Sequence, residues 1–308
     1  MHSIPITNMK SITYSSLILA SAFCSLSGQT LLYEYSFNDA ANGANTVATG
    51  TAGGTAAFTN YVTTGSTSRQ SADLRGVSGS GVSGIAGDYA FDNSGSTQMG
   101  GSGAANGANA GYGGMAANSG GASALDGQTS FTVSGWYYSS STPGNFARLI
   151  EVGSVGVWFT DTDILLNVTL ASGTEQFTSS DASLFTTDTW NFFAFTYNGV
   201  TGEAALYGGT DESEVALIVS TTLSSSTVSL NHSNMTIANS NFSGNQRPFD
   251  GMLDNYRVWG DSDASGALGL SALEAVRSSD IIPEPSTYAL IVGSMAVVLI
   301  TVRRRKLV

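Results

Sequence analysis

Residues that carry most site chemistry are scarce in this sequence. Its single cysteine, Cys24, lies in an N-terminal apolar stretch, which leaves the rest of the chain without a thiol for a disulfide or a zinc site. Beyond His2 the only histidine is His232, in the polar run Asn231-His232-Ser233-Asn234, where an exposed turn is expected. A His-based metal site would lack a second imidazole, and serine-triad chemistry would have to pass through that one residue. Lysine is absent between residues 30 and 279, where 21 acidic residues face six arginines. So acidic a body repels nucleic acid, whose binding rests on cationic contacts to phosphate, and suits calcium or a neutral partner. Helical periodicity is also missing before residue 264.

What is present is clearest at the two ends. Lys10, an apolar run over 12–26 and the small residues Ser25, Ser27 and Gly28 have the order of a secretory signal, predicted to span residues 1–29. At the other end Pro283-Glu284-Pro285 precedes an apolar run over 288–302 and then Arg303-Arg304-Arg305-Lys306. Fifteen residues in a helix reach about 22 Å, short of the roughly 30 Å hydrocarbon core, so the run is a marginal permanent anchor. The arginines hold the cytoplasmic side, and the prolines keep the preceding chain extended and open to a protease. This order closely resembles the PEP-CTERM sorting signal of Gram-negative bacteria, assigned here to residues 280–308. The resemblance implies cleavage by a membrane-embedded exosortase near Pro283, Glu284 and Pro285. It also implies anchoring through 288–302 before processing, then delivery of the body to the cell surface or an extracellular matrix, often one rich in polysaccharide.

Between the ends, residues 30–279 read as one all-β body. Leu31, Tyr33, Tyr35 and Phe37 alternate with more polar neighbours at the period of a half-buried strand. Further β-rich runs are predicted at 130–138, 148–152, 155–159, 164–170, 190–197, 203–207, 215–221, 235–238 and 252–259, separated by Gly, Ser, Asn and Asp turns, the pattern of a two-sheet sandwich. Residues 76–127, rich in Gly, Ala, Ser and Asn, are expected to form long loops. Ser271 and Glu274 have the spacing of a capping box ahead of a short helix.

Several segments in order carry a second resemblance: Tyr35-Ser36-Phe37-Asn38-Asp39, Gly87-Asp88-Tyr89-Ala90-Phe91-Asp92, Ser130 through Trp136, Asp188 through Gly199, and Phe249 through Trp259. They resemble the LamG-like jelly roll of the concanavalin A-like superfamily, which implies an antiparallel two-sheet sandwich with a short C-terminal hydrophobic helix. The same resemblance implies one structural calcium ion held by Asn38, Asp39 and Asp254. The alternative for those residues is structural, with Asp39 capping a turn and Asp254 bonding Arg257 or loop amides.

Catalytic signals are weak. A retaining glycosidase needs two carboxylates about 5 Å apart, and jelly-roll glucanases place them on one strand as Glu-x-Asp-x-x-Glu, a run missing here. Asp161 and Asp163 have no following glutamate within reach, and Glu212 and Glu214 read as a solvated hairpin turn. Trp136, Trp158, Trp190 and Trp259 all lie inside strand patterns and are expected in the core rather than stacked on sugars. The sequence therefore points to an exported, non-catalytic envelope protein whose jelly roll binds carbohydrate or another envelope component. The alternatives are a glycan-degrading enzyme of the same fold and a purely structural adhesin.

Overall fold

The structure, a computed structural model, describes residues 29–39, 45–61, 74–96, 113–153, 155–160, 163–179, 186–230, 232–240 and 247–281. The predicted signal and the sorting residues Pro283, Glu284, Pro285, Arg303, Arg304 and Arg305 lie outside them. Fifteen strands run in chain order: β1 (Leu31–Tyr35), β2 (Asn45–Val47), β3 (Thr55–Tyr61), β4 (Phe91–Asp92), β5 (Gly113–Asn118), β6 (Ser130–Tyr138), β7 (Arg148–Val152), β8 (Val155–Thr160), β9 (Asp163–Leu170), β10 (Gly173–Ser179), β11 (Trp190–Asn198), β12 (Glu203–Thr210), β13 (Ala216–Thr222), β14 (Met235–Ile237) and β15 (Met252–Asp261). A single α-helix among the described residues, α1 (Leu270–Ile281), follows.

All strand pairs are antiparallel and fall into two sheets. The first has the order β1-β15-β6-β11-β12-β13 with β4 added against β15, and the second has the order β10-β9-β8-β7-β14-β5-β3-β2. This is the expected jelly-roll sandwich. Side chains of period two meet between the sheets: Phe131, Val133 and Tyr137 of β6 and Phe193, Phe195 and Tyr197 of β11 enter one core with Val157, Phe159, Leu166 and Val168 of the second sheet.

β6 and β11 are apolar on their other face as well. Trp136, Phe192 and Ala194 form a second cluster with Val82, Trp259, Leu268, Leu273 and Val276, so α1 and the loop before β4 cover the outer face of the first sheet. The indole of Trp136 meets Phe192 edge-on at 5.2 Å. Double coverage explains why these two strands read as nearly continuous apolar runs.

Two expectations are corrected. The segment 76–127 is not all loop, because β5 lies between β14 and β3, largely buried, as Gly-Gly-Met-Ala-Ala-Asn. A side chain at Gly114 would overlap the Leu74 methyls and one at Gly113 the Pro248 ring, so close packing selects residues that look like loop. The capping box of Ser271 and Glu274 does not form. The helix starts at Leu270, and the Glu274 carboxylate instead accepts from Val215 N at 2.7 Å, Arg277 Nη1 at 2.9 Å and Ser278 Oγ at 2.7 Å, tying α1 to the turn between β12 and β13.

Candidate functional site

A cavity of about 600 Å³ opens on the outer face of the first sheet, where β1 and β15 meet the end of α1. Glu34 and the residues just after β1, Ser36 and Asn38, form one wall, Ser83 and Asp88 of the loop before β4 form a second, and Ser279 and Asp280 of α1 form a third. Asn255 and Arg257 of β15 supply the floor.

Local backbone shapes this floor. The β6–β15 register shifts between Asp254 and Arg257, a bulge that lets successive residues turn to the same side. Asn255 sits there at φ +47, in the left-handed region. On the opposite wall Phe37 is also left-handed at φ +57, and its ring is clamped in the core by Phe91 at 5.7 Å and Phe58 at 6.2 Å. Packing of that ring holds the neighbouring Ser36 and Asn38 toward the cavity in a conformation a free chain would rarely adopt.

An ion network lies beneath. The largely buried Arg257 donates to Glu34 Oε1 at 2.6 Å and, through both terminal nitrogens, to Asp280 at 2.7 Å, while Trp136 Nε1 donates to Asp280 Oδ2 at 2.8 Å. Burial alone would lower the Arg257 pKa, but the two carboxylates raise it above the ordinary arginine value. Burial would likewise raise Glu34, yet Arg257 and a hydrogen bond from Thr49 hold it below the usual carboxylate range. In the roof, Asp88 Oδ2 accepts from Ser83 N at 2.9 Å and Ser83 Oγ at 2.6 Å, and a side chain at Gly81 would overlap that carboxylate. The loop is thus wound around Asp88.

Of the three residues assigned to calcium, only Asn38 lines the cavity, and its Oδ1 accepts from Tyr89 N at 2.7 Å. Asp39 Oδ2 accepts from Thr46 Oγ1 at 2.9 Å and Val47 N at 2.6 Å. Asp254 is fully buried behind the bulge, with Oδ2 accepting from Val82 N and Oδ1 from Asn255 N, both at 2.8 Å. Burial, reinforced by the nearby Asp88 charge, raises its pKa well above the ordinary aspartate value. Calcium takes six to eight oxygens. Among the described residues no three His, Cys, Asp or Glu side chains are grouped to hold a metal.

Other candidates separate cleanly. Trp136, Trp190 and Trp259 are buried as expected, but Trp158 is part-exposed on the outer face of the second sheet. His232 is not an exposed turn residue: it is part-buried and lines a 220 Å³ pocket with Ser123, Asp126, Leu230 and Ser233, where burial lowers its pKa. Asp88, Asn255, Arg257 and Asp280 were missed as site residues. A polar pair inside a strand, Asp254-Asn255, was the available signal of a bulge.

A protein-family model described as the concanavalin A-like lectin/glucanases superfamily matches residues 109–262. No curated protein matches the chain. Among solved structures, similarity is found to the Ruminococcus gnavus IT-sialidase CBM40 bound to α2,3 sialyllactose, 16% identical with a TM-score of 0.40 over 51% of this chain and 86% of that one. The binding domain of Paraclostridial Mosquitocidal Protein 1 is 13% identical with a TM-score of 0.47, covering 81% of this chain and 52% of that one. The binding domain of Botulinum neurotoxin DC in complex with SialylT is 11% identical with a TM-score of 0.44, covering 81% and 51%. The chain spans about half the length of these two toxin domains.

Proposed function

The chain belongs to the concanavalin A-like lectin/glucanase superfamily, and from that premise we propose that it is an exported, non-catalytic carbohydrate-binding protein of the cell envelope. The observation that carries the reading is the polar cavity. Asn38, Asn255, Ser36, Ser83 and Ser279 offer amide and hydroxyl groups around a floor whose charges are already paired, an arrangement matched to the alternating donors and acceptors of a neutral sugar. The bulge and the two left-handed residues hold these groups before any ligand arrives, which reduces the ordering cost of binding.

The non-catalytic reading is supported by the state of the lining carboxylates. Glu34 and Asp280 are bound to Arg257 and Asp88 to Ser83, so neither a free acid nor a free nucleophile faces the opening. One observation favours the enzyme reading: Asp254, its pKa raised, lies near Asp88 as an acid beside a second carboxylate. Its full burial behind the cavity wall weighs against that role.

Export and sorting rest on the two ends of the sequence. The signal over 1–29 sends the body out, and the exosortase tail delivers it to the surface or matrix, with extracellular polysaccharide as its partner. The test is a glycan array with the full chain, run with calcium and with chelator, with each bound glycan then assayed for new reducing ends. Selective binding without hydrolysis is expected. Hydrolysis would move the assignment to the enzyme, and an array with no binder in either arm would leave the adhesin.

A further inference from the structure

The walls of the cavity are not balanced in charge. Three carboxylates, Glu34, Asp88 and Asp280, line it against one guanidinium, that of Arg257. Arg257 pairs with two of them, at 2.6 Å to Glu34 and 2.7 Å to Asp280. Asp88 has no ion pair among the described residues. Behind the wall, Asp254 registers the excess: burial first, then the Asp88 charge and, more weakly, that of Asp280 raise its pKa.

Asp88 is also held in place. Its N donates to Ile85 O at 3.1 Å and its O accepts from Gly79 N at 2.8 Å, so the loop is bonded to it on both sides. Both Ser83 bonds fall on Oδ2, whereas Oδ1 accepts none among the described residues, although Asp88 is only 7% exposed. On the floor, Asn255 is 8% exposed, and its backbone N bonds Asp254 while its side-chain amide makes no hydrogen bond among the described residues. Two polar side chains more than nine-tenths buried thus line one open cavity with bonding capacity to spare. Buried polar groups are ordinarily hydrogen-bonded, so these two mark where the polar atoms of a ligand belong.

One fixed counter-charge selects a singly charged group. A divalent metal gathers several anionic oxygens, but each oxygen of Glu34 and Asp280 already accepts a bond from Arg257, Thr49 or Trp136. An ammonium carries three donors, which suit one carboxylate oxygen together with neutral oxygens such as Ser83 Oγ and the Asn255 amide. At about 600 Å³ the cavity is far larger than a lone ion requires, and Ser36, Asn38 and Ser279 add hydroxyl and amide groups matched to the hydroxyls of a sugar ring.

Resting on the sugar-site reading of the cavity, we propose that its ligand is an amino sugar, a hexosamine unit with a free amine, whose ammonium sits on Asp88 Oδ1 and whose hydroxyls meet Asn255, Asn38 and the lining serines. The ring contacts are those of a neutral sugar, and the amine adds one charge-assisted bond to a preset carboxylate. An acidic sugar would meet the same carboxylate and be repelled.

The test is calorimetric titration of the full chain, at mildly acidic pH where the amine is protonated and at physiological ionic strength. The probes are tri-glucosamine, tri-N-acetylglucosamine and cellotriose, trimers of one linkage that differ only at the second carbon, and tri-lysine as a cation without a sugar. Tri-glucosamine is expected to bind at least tenfold more tightly than the other three. Asp88→Asn is expected to abolish that preference, Asn255→Ala to weaken every sugar, and Glu212→Gln on an exposed turn to change neither. Cellotriose bound by the wild type as tightly as tri-glucosamine, with both weakened by Asn255→Ala, would overturn the amine assignment and leave the sugar site standing. A wild type that binds no trimer would also overturn the amine assignment, and the glycan array would then decide the sugar site by itself. Tri-lysine binding as tightly as tri-glucosamine would overturn the saccharide, and an amine preference that survives in a folded Asp88→Asn chain would overturn the role of Asp88.

Discussion

At the scale of single residues, the site is organised by two ionisable groups, one largely and one fully buried, with opposite consequences. Arg257 is raised in pKa and doubly paired, so removing Asp280 strips its bidentate partner, leaves Glu34 alone against a largely buried charge and takes the acceptor from Trp136 Nε1. Asp280→Ala should therefore cost about 3 to 5 kcal/mol, a fall in Tm of roughly 6–20 °C for a domain of this size, measurable by thermal melts. Asp254 is the reverse case. Its folded pKa lies above the unfolded value, so between the two the folded state binds more protons, and stability is lost as pH rises from about 4. Asp254→Asn removes that proton linkage, while the fixed cost of facing an amide N–H₂ toward Val82 or Asn255 N–H does not change with pH. Urea unfolding at pH 4.5 and pH 7 should show the variant gaining on the wild type as pH rises. A pH-independent gap would mean that Asp254 is ionised in the folded state. The sequence alone offered Asp254 as a ligand or a loop-amide acceptor, and its bonds to Val82 N and Asn255 N favour the second role.

At the scale of elements, legibility followed the alternation of large apolar side chains. β6 over 130–138 and β7 over 148–152 match the predicted bounds, because aromatic and branched apolar residues dominate both. β2, β5 and β10 did not show, since Asn-Thr-Val, Gly-Gly-Met-Ala-Ala-Asn and Gly-Thr-Glu-Gln-Phe-Thr-Ser have the composition of turns. What makes β5 a strand is the space left between Leu74, Pro248 and the flanking strands, a tertiary fact. The cavity was equally hidden, because its walls come from β1, the 83–88 loop and the β15–α1 stretch, three regions far apart in sequence. The loop is its most sensitive wall. Gly81→Ala sets a methyl against the Asp88 carboxylate and should cost about 1 to 3 kcal/mol, with loss of protection at the Ser83 amide in hydrogen exchange. Unaltered exchange there would show that the loop does not depend on Asp88.

At the scale of the whole molecule, α1 is part of the body rather than of the tail. Asp280 in its last turn binds Arg257 and Trp136 across the outer face of the first sheet, so the helix closes both the second apolar cluster and the cavity. Among the described residues no helix is long and apolar enough to cross a membrane, and the predicted anchor over 288–302 lies outside them. A body ending at residue 279 should consequently melt well below one ending at 281, by a margin close to that of Asp280→Ala, and equal melting temperatures would detach α1 from the fold. The central claim is that this helix-closed cavity, supported by β1 and the β15 bulge, is a sugar site. The most direct measurement is calorimetric titration of wild-type, Asn38→Ala and Asn255→Ala full-length protein with the strongest glycan from the array. Each variant is predicted to bind at least tenfold more weakly, the loss of about 1.4 kcal/mol expected when side-chain hydrogen bonds to a bound ligand are removed. Unchanged affinity in both variants, with the fold intact by circular dichroism, would place the ligand elsewhere and contradict the account.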